Sequence, residues 1–248
     1  VVWCPGTGNV GFNALGKVFS GEVNPSGKTP DTFIYDMTTA PWWNNAEKTE
    51  YTNLADMAVE GMNAGTAQVY APAFTNYVED IYVGYKYYET AAQEGAIDYD
   101  KTVQYPFGYG LHYGETNYDG LSVDKAESDV NEPVEVFVNV TNDSRYTVNE
   151  IVQLYIRHVD AAEYEPGYQL KGIEVVKLEP YETKKVKLTL SPRDFAVIEE
   201  DGSCVAVPGI YEISAGGQQP DDRSTKLTGK RTERIDITRC GEKTGVDY

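Results

Sequence analysis

The chain has 248 residues, 41% of them apolar, and carries a net charge of −18 from 21 basic and 39 acidic residues. This composition is typical of a globular protein with a core of its own, and the sequence holds no apolar run of about 18 residues that could span a membrane. Phosphate backbones and anionic lipids repel so acidic a chain, so we expect neither a nucleic-acid nor a membrane partner. An uncharged ligand meets no such repulsion.

Cysteine and histidine are too few and too scattered to indicate a metal site. The cysteines are Cys4, Cys204 and Cys240, without a Cys-x-x-Cys pair, and the histidines are His112 and His158. These spacings match no zinc motif, so we predict no metal and no cofactor. Pairing of Cys204 with Cys240 in an oxidising compartment is left open.

The chain begins with a strand, a turn and a helix. Residues 1–4 are typical of the end of a buried strand, residues 5–9 of a glycine-rich turn, and residues 10–20 have helical spacing that stops at Gly21. Because the chain opens at Val1 inside a strand, we expect sequence upstream of it, and the absence of a visible signal peptide therefore carries little information.

The glycine-rich turn is a candidate ligand loop. Strand, turn and helix form the β–α step of an open α/β sheet, in which loops after the strands face ligands. Thr7 and Asn9 are therefore candidate substrate-binding residues. The alternative is that Gly6 and Gly8 only provide the positive φ of a tight turn.

A long polar stretch follows, at residues 38–75, and structureless loops of this length are usually functional or lid-like. It contains Trp42 and Trp43, candidates for a ligand-stacking platform, although core or interface packing is at least as good an explanation. The other elements predicted here are a turn at residues 24–28, a strand at 32–35, helices at 55–62 and 87–94, a tyrosine-rich segment at 81–92 and an aromatic loop at 105–113.

From about Thr116 the pattern becomes entirely β. Apolar and polar residues alternate in several short runs separated by turn residues, which is typical of a β-sandwich. About 125 residues suit an immunoglobulin-like sandwich of roughly seven strands. We predict domains at residues 1–115 and 116–248, with strands at 134–140, 151–157, 172–178, 184–190 and 209–215.

Three ordered segments carry a resemblance to a known family. Residues 11–28 read G-F-N-A-L-G-K-V-F-S-G-E-V-N-P-S-G-K, residues 77–89 read Y-V-E-D-I-Y-V-G-Y-K-Y-Y-E, and residues 105–113 read Y-P-F-G-Y-G-L-H-Y. Together they resemble motifs of glycoside hydrolase family 3. The departures from the family pattern are Thr29, Asp80, His112 and Gly114, where leucine, glycine, serine and threonine are usual.

The resemblance continues into the β-rich part. The segments V-N-V-T-N at 138–142, E-I-V-Q-L-Y at 150–155 and L-K-G at 170–172 resemble the fibronectin type III-like domain that follows in many members of the family. The implied fold is an α/β partial sandwich domain followed by an all-β immunoglobulin/fibronectin type III-like sandwich. The implied function is part of a retaining β-glycosidase of the β-glucosidase type.

The resemblance places no catalytic residue in this chain. Retention needs two carboxyl groups about 5 Å apart. In the family the nucleophile lies on a (β/α)8 barrel, for which residues 1–115 are too short, and the acid/base glutamate lies upstream of the strand at Val1. Glu79 and Asp80 do not form a catalytic pair in this interpretation, because adjacent residues on a strand point to opposite faces. We interpret Glu79 as a capping residue or a partner of Lys86.

Two other patterns have structural interpretations. A lone histidine such as His112 is more often a hydrogen-bonded structural residue than a general base. The segments starting at Asn139 and Asn142 match glycosylation acceptors, and chance explains them better.

The implied partners are a β-linked glucoside or related oligosaccharide, and the barrel and acid/base segment of the same enzyme. A homo-oligomer, and a cytoplasmic or secreted location in a bacterial-type cell, are left open. The rival hypotheses are a non-catalytic carbohydrate-binding or adhesion module and a purely structural spacer.

Overall fold

The computed structural model describes residues 2–4, 6–45, 49–50, 53, 56, 59–63, 66–70, 73–74, 76–161 and 165–247. The N-terminal part, up to residue 115, combines short helices with short antiparallel ladders. Its helices are α1 (Gly11–Ser20), α2 (Tyr85–Gln93) and α3 (Tyr99–Thr102), with 3-10 turns at Met37–Thr39, Trp43–Asn45 and Asp80–Tyr82. Its strands are β1 (Phe33–Ile34), β2 (Thr49–Glu50), β3 (Val59–Asn63), β4 (Thr66–Tyr70), β5 (Ala73–Phe74) and β6 (Val103–Tyr105).

The helix predicted at residues 10–20 is confirmed as α1. It ends at Gly21, whose φ of 78° is left-handed and whose N–H donates to the carbonyl of Val18. This is the glycine stop that the sequence indicated. The short strand predicted at residues 32–35 is β1, which pairs antiparallel with β6.

Three predicted elements of the N-terminal part are wrong. Residues 2–4 form no strand and are exposed. The helix at 55–62 is contradicted at its end, where β3 pairs with β4, and residues 55, 57 and 58 lie outside the described residues. The strand assumed for Glu79 and Asp80 is instead the start of a 3-10 turn, Asp80–Tyr82, and the chain passes from this turn into α2.

The second part is a β-sandwich, which confirms the predicted all-β fold. A five-stranded sheet, in the order β11-β10-β15-β16-β8, faces a three-stranded sheet in the order β12-β9-β7, and a small third sheet has the order β13-β14-β17. The strands are β7 (Thr116–Val123), β8 (Glu127–Asp129), β9 (Val134–Asn142), β10 (Val148–His158), β11 (Gln169–Leu178), β12 (Thr183–Leu190), β13 (Ala196–Ile198), β14 (Cys204–Ala206), β15 (Gly209–Gly216), β16 (Glu233–Cys240) and β17 (Thr244–Gly245). The short helix α4 (Asp222–Thr228) lies between β15 and β16.

The core of the sandwich lies between its two main sheets. Along β9 every second side chain is buried, which is the alternation that the sequence predicted. The core consists of Val134, Val136, Val138, Val140, Val152, Leu154, Ile156, Leu178, Val186, Leu188, Leu190, Phe195, Tyr211, Ile213, Ala215 and Ile237.

Strand β10 is buried on both faces, which alternation alone does not predict. Leu154 points into the core, and its neighbours Gln153 and Tyr155 are also buried. Gln153 donates to the carbonyl of Gly108, 2.9 Å away, and accepts from the Tyr155 hydroxyl at 2.7 Å. The outer face of β10 therefore packs against the aromatic loop of the N-terminal part.

The remaining sequence questions about the sandwich concern cysteines and acceptor asparagines. Cys204 and Cys240 are free thiols, so the structure has no bond between them. Asn142 is fully buried, and its amide donates to the carbonyls of Tyr146 and Glu179. An asparagine held in this way is inaccessible for modification in the folded protein, which supports the interpretation of that motif as chance.

No helix among the described residues has the length and apolar character that crossing a membrane requires.

Candidate functional site

A cleft of about 600 Å³ opens in the N-terminal part. One wall is the segment from Pro30 to Trp42, which includes β1, and the other is formed by Glu79 and the start of α2. No described residue of the sandwich lines it. The lining residues are Pro30, Asp31, Thr32, Phe33, Ile34, Met37, Trp42, Glu79, Val83, Gly84, Tyr85, Tyr88 and Phe107.

The first wall is shaped by local capping. Asp36 precedes the 3-10 turn Met37–Thr39 and accepts from the backbone N–H of Thr38 at 2.9 Å and from its hydroxyl at 2.6 Å. These hydrogen bonds lower the pKa of Asp36. The cap fixes the direction of the chain after β1, so that Met37 and Trp42 both line the cleft.

The second wall is anchored on the sandwich. Tyr85, the first residue of α2, stacks on Phe107 with ring centroids 4.5 Å apart and meets Tyr155 edge-on at 6.3 Å. Its hydroxyl accepts from the N–H of Leu170 at 2.7 Å, and burial raises the pKa of Tyr85. Strands β10 and β11 of the sandwich therefore hold this second wall of the cleft in place.

The carboxylates of the cleft have no cationic side chain among the residues that line it. Asp31 and Glu79 are its two carboxylates, and no lining residue is Lys, Arg or His. Burial, together with the nearby charges of Asp31 and Glu79, raises the pKa of Tyr88 to about 12, so its hydroxyl stays protonated and serves as a donor. The hydroxyl of Thr32 is buried without a partner among the described residues.

Glu79 does not have the structural roles predicted for it. It occupies the residue before the 3-10 turn, but its side chain makes no capping hydrogen bond. Among the ion pairs of the described residues, none joins Glu79 to Lys86. Its carboxylate lines the cleft instead, because the chain turns there in place of continuing as a strand.

Of the four predicted substrate-binding residues, only Trp42 lines the cleft. Trp43 packs beside Trp42, with centroids 6.4 Å apart at 51°, and is 43% exposed. Thr7 and Asn9 lie in the turn before α1, where the N–H of Gly11 donates to the carbonyl of Thr7. Thr7, Asn9 and Trp43 stay predictions as substrate contacts.

The sequence did not identify the polar side of the cleft. Asp31 and Thr32 lie three and four residues after the first family motif, and Glu79 is part of the second. The position of Asp31 after this motif was the available signal, but only the fold brings residues so far apart in the chain into one cleft.

His112 belongs to a second, small polar cavity of about 80 Å³ at the junction with the sandwich. It lies 3.1 Å from a carboxylate oxygen of Glu150, which also accepts from the hydroxyls of Thr116 and Tyr118. This is the hydrogen-bonded structural role predicted for His112.

Burial alone would raise the pKa of Glu150, but these hydrogen bonds and the charge of Lys28 hold it below its usual value. Burial lowers the pKa of Lys28. A buried cation and a buried carboxylate therefore stabilise each other's charged forms across the junction. In the described part of the chain, no group of three or more His, Cys, Asp or Glu side chains is arranged to hold a metal ion.

Comparisons with known proteins agree with this architecture. The fibronectin type III-like domain family matches residues 150–219. Thermostable β-glucosidase B of Acetivibrio thermocellus is 36% identical over 74% of this chain and 20% of its own length. β-Glucosidase BoGH3A of Bacteroides ovatus is 30% identical over 88% of this chain and 26% of its own length.

Solved structures give the same result. The GH3 β-glucosidase of Bifidobacterium adolescentis matches 92% of this chain and 28% of its own, with 28% identity and a TM-score of 0.69. β-Glucosidase 3B of Thermotoga neapolitana, in complex with α-D-glucose, matches 94% of this chain and 27% of its own, with 26% identity and a TM-score of 0.69.

The fold is thus that of a partial α/β sandwich joined to a fibronectin type III-like domain. The chain is similar to β-glucosidases of glycoside hydrolase family 3, and the similarity covers most of this chain. It spans a fifth to a quarter of the length of these two curated relatives.

Proposed function

We propose that the chain is part of a retaining β-glycosidase that hydrolyses terminal β-linked sugars. In this proposal residues 1–115 are the closing part of the α/β sandwich domain and residues 116–248 the fibronectin type III-like domain. The chain supplies scaffold and loops that wall the sugar site, and the catalytic carboxylates lie elsewhere in the enzyme. The similarity to β-glucosidases along most of this chain, but a small share of theirs, is the observation that carries the proposal.

The surface of α1 supports it. None of the residues of α1 is buried, and its large apolar side chains Phe12 and Phe19 are exposed. An apolar helix face of this kind normally packs against another element. We propose that the remaining part of the α/β domain covers it in the whole enzyme.

The purified chain tests the catalytic part of the proposal. With an aryl β-glucoside as substrate, we expect no release of the aryl alcohol above the rate in buffer. Turnover by the chain would contradict the proposal and would direct attention to the carboxylates of the cleft.

In that case Glu79→Gln is compared with Asp80→Asn. Asp80 is the neighbouring carboxylate that does not line the cleft, and its φ of 48° is one that asparagine tolerates. Loss of turnover in the first variant alone would place the chemistry in the cleft.

A further inference from the structure

The small cavity at the junction with the sandwich has a net positive lining. Of the described residues that line it, Lys28, Lys230 and Arg231 are cations and Glu150 is the one carboxylate. The whole chain carries a charge of −18, so this cavity concentrates positive charge in a strongly acidic protein. A cavity whose lining has one sign of charge raises the local concentration of ions of the opposite sign.

The three cations are not neutralised by salt bridges. No ion pair between described residues includes Lys28, Lys230 or Arg231. The Lys28 ammonium instead donates to the carbonyl of Gly110 at 3.1 Å. The Lys230 ammonium donates to the carbonyl of Thr116. An ammonium has three donors and a guanidinium has five, so donors are left for a further acceptor.

Glu150 does not supply that acceptor, because other donors occupy its carboxylate. One oxygen accepts from the hydroxyl of Tyr118 at 2.8 Å. The other accepts from the hydroxyl of Thr116 at 3.2 Å and lies 3.1 Å from Nε2 of His112. The acceptor that the cations lack therefore has to come from outside the described residues.

Repulsion between two of the cations also favours an anion. Burial lowers the pKa of Lys28, the charge of Glu150 opposes this shift, and the charge of Lys230 adds to it. The two ammonium groups are therefore close enough to repel each other. An anion that contacts both would replace this repulsion by attraction.

The size of the cavity restricts the ligand to a small ion. Its volume is about 80 Å³, several times the roughly 10–15 Å³ that one water molecule requires. Pockets for larger organic ligands have roughly 300–1,000 Å³. The volume therefore suits an ion of a few heavy atoms, such as phosphate or sulfate.

Two lining residues distinguish the cavity from the usual family sequence. His112 and Gly114 stand where serine and threonine are usual. The side chain of His112 is 10% exposed, and its Nδ1 is buried without a partner among the described residues. A Cβ on residue 114 would lie 2.4 Å from a methyl carbon of Val148 and 2.8 Å from the hydroxyl of Ser144. Threonine would not fit there unless its neighbours moved, so this lining is a property of this chain.

We propose that the junction cavity binds a small tetrahedral oxyanion, inorganic phosphate or sulfate. Lys230 and Arg231 donate hydrogen bonds to the anion, and Lys28 supplies further positive charge. Lys28 belongs to the N-terminal part and the other two cations belong to the sandwich, so the bound anion joins the two parts of the molecule. Such a site is independent of the proposed glycosidase function.

Calorimetric titration of the purified chain at neutral pH tests the proposal. The probes are sodium phosphate and sodium sulfate, and sodium chloride at equal ionic strength is the control. We expect saturable binding at one site, and whichever of phosphate and sulfate binds more tightly is the anion that the cavity accepts. No saturable heat with either oxyanion, or equal binding of chloride, would overturn the proposal.

Two charge-removing variants locate the site. Arg231 is exposed, so Arg231→Gln should fold, and it is expected to weaken binding of the tighter anion at least about ten-fold. Lys185→Gln removes the same charge from an exposed position of β12 outside the cavity and should change the affinity less than about two-fold. Equal losses in both variants would overturn the assignment to the cavity. Circular dichroism confirms that each variant is folded.

The two histidines of the chain provide a test that leaves the cations unchanged. His112 lines the cavity, whereas His158 does not. In proton–nitrogen correlation spectra of the imidazoles, assigned with the His158→Gln variant, the anion should shift the His112 signals and leave those of His158 unchanged. Equal shifts of both histidines, or no shift of His112 at saturation, would overturn the placement of the site.

Discussion

The two parts of the molecule are built by different means. The sandwich encloses one continuous apolar core between two sheets. In the N-terminal part, few of the described apolar residues are buried, among them Ala40, Tyr88, Val103 and Pro106. The N-terminal part is instead held by polar and aromatic contacts with the sandwich, such as that of Tyr85 with Leu170. The difference indicates that the sandwich stabilises itself and also supports the walls of the cleft.

A matched pair of leucines is the strongest test of this difference. Leu154 is completely buried in the sandwich core, and truncating such a residue costs about 2–5 kcal/mol. Leu15 lies in α1, where no residue is buried, and its truncation should change the free energy of unfolding by less than about 0.5 kcal/mol. Urea unfolding of Leu154→Ala and Leu15→Ala measures both. An equal loss of unfolding free energy in the two variants would show that α1 is packed as tightly as the sandwich.

The pH dependence of stability tests the polar contacts between the parts. Burial and the neighbouring charge of Asp221 raise the pKa of Glu89 to about 8, although hydrogen bonds from Tyr99 and Gln219 oppose the shift. Tyr85 and Tyr155 also face this group.

In the unfolded chain the same carboxyl ionises near its usual value of 4.5. The folded state therefore holds a proton that the unfolded state has released, so stability falls as the pH rises from about 4.5 to about 8. Thermal melts across this window should show the fall, and Glu89→Gln should reduce it. Burial also raises the pKa of Asp221. The Glu89→Gln variant should therefore keep a smaller decrease of stability with rising pH. An unchanged slope in Glu89→Gln would mean that Glu89 ionises normally in the folded protein.

The smallest expected effect concerns the outer face of β10. Gln153→Ala removes the donor to Gly108 and should cost about 1–3 kcal/mol, because the carbonyl is left buried and unpaired. Amide exchange in the aromatic loop should become faster, most clearly at Gly108, whose N–H donates to the carbonyl of Thr29. Val175→Ala, at an exposed position of β11, is the control and should leave exchange unchanged. Faster exchange in both variants would contradict a specific role of Gln153.

Helices and strands that are determined by the local residue pattern were predictable from the sequence. Helix α1 and strands β9 to β12 follow from spacing and alternation. Strand β16 was missed because an inward position is occupied by Arg239. Its guanidinium is buried and donates to Ser128 and to the carbonyls of Val130 and Glu132, so the apolar alternation is interrupted. Helix α4 was missed although its capping residue Asp221 and the glycine after it were visible in the sequence.

The candidate site was only partly predictable for a different reason. Trp42 was identified because a tryptophan in a long loop is conspicuous. Asp31 and Glu79 lie far apart in the chain, and only the tertiary fold brings both to one cleft. Alternation predicts the position of β10 but not the burial of its outer face, since that burial depends on a segment more than forty residues earlier in the chain.

That double burial of β10 bears on how the protein can be divided for engineering. The sheet topology suggests a cut after residue 115 that would release the sandwich as a portable module. Such a cut would remove the residues that cover the outer face of β10. Tyr155 would then be exposed to water, and the side-chain amide of Gln153 would lose the Gly108 carbonyl to which it donates. An isolated sandwich would need polar replacements for Gln153 and Tyr155. Alternatively, it could retain the aromatic loop at residues 105–113, which covers them.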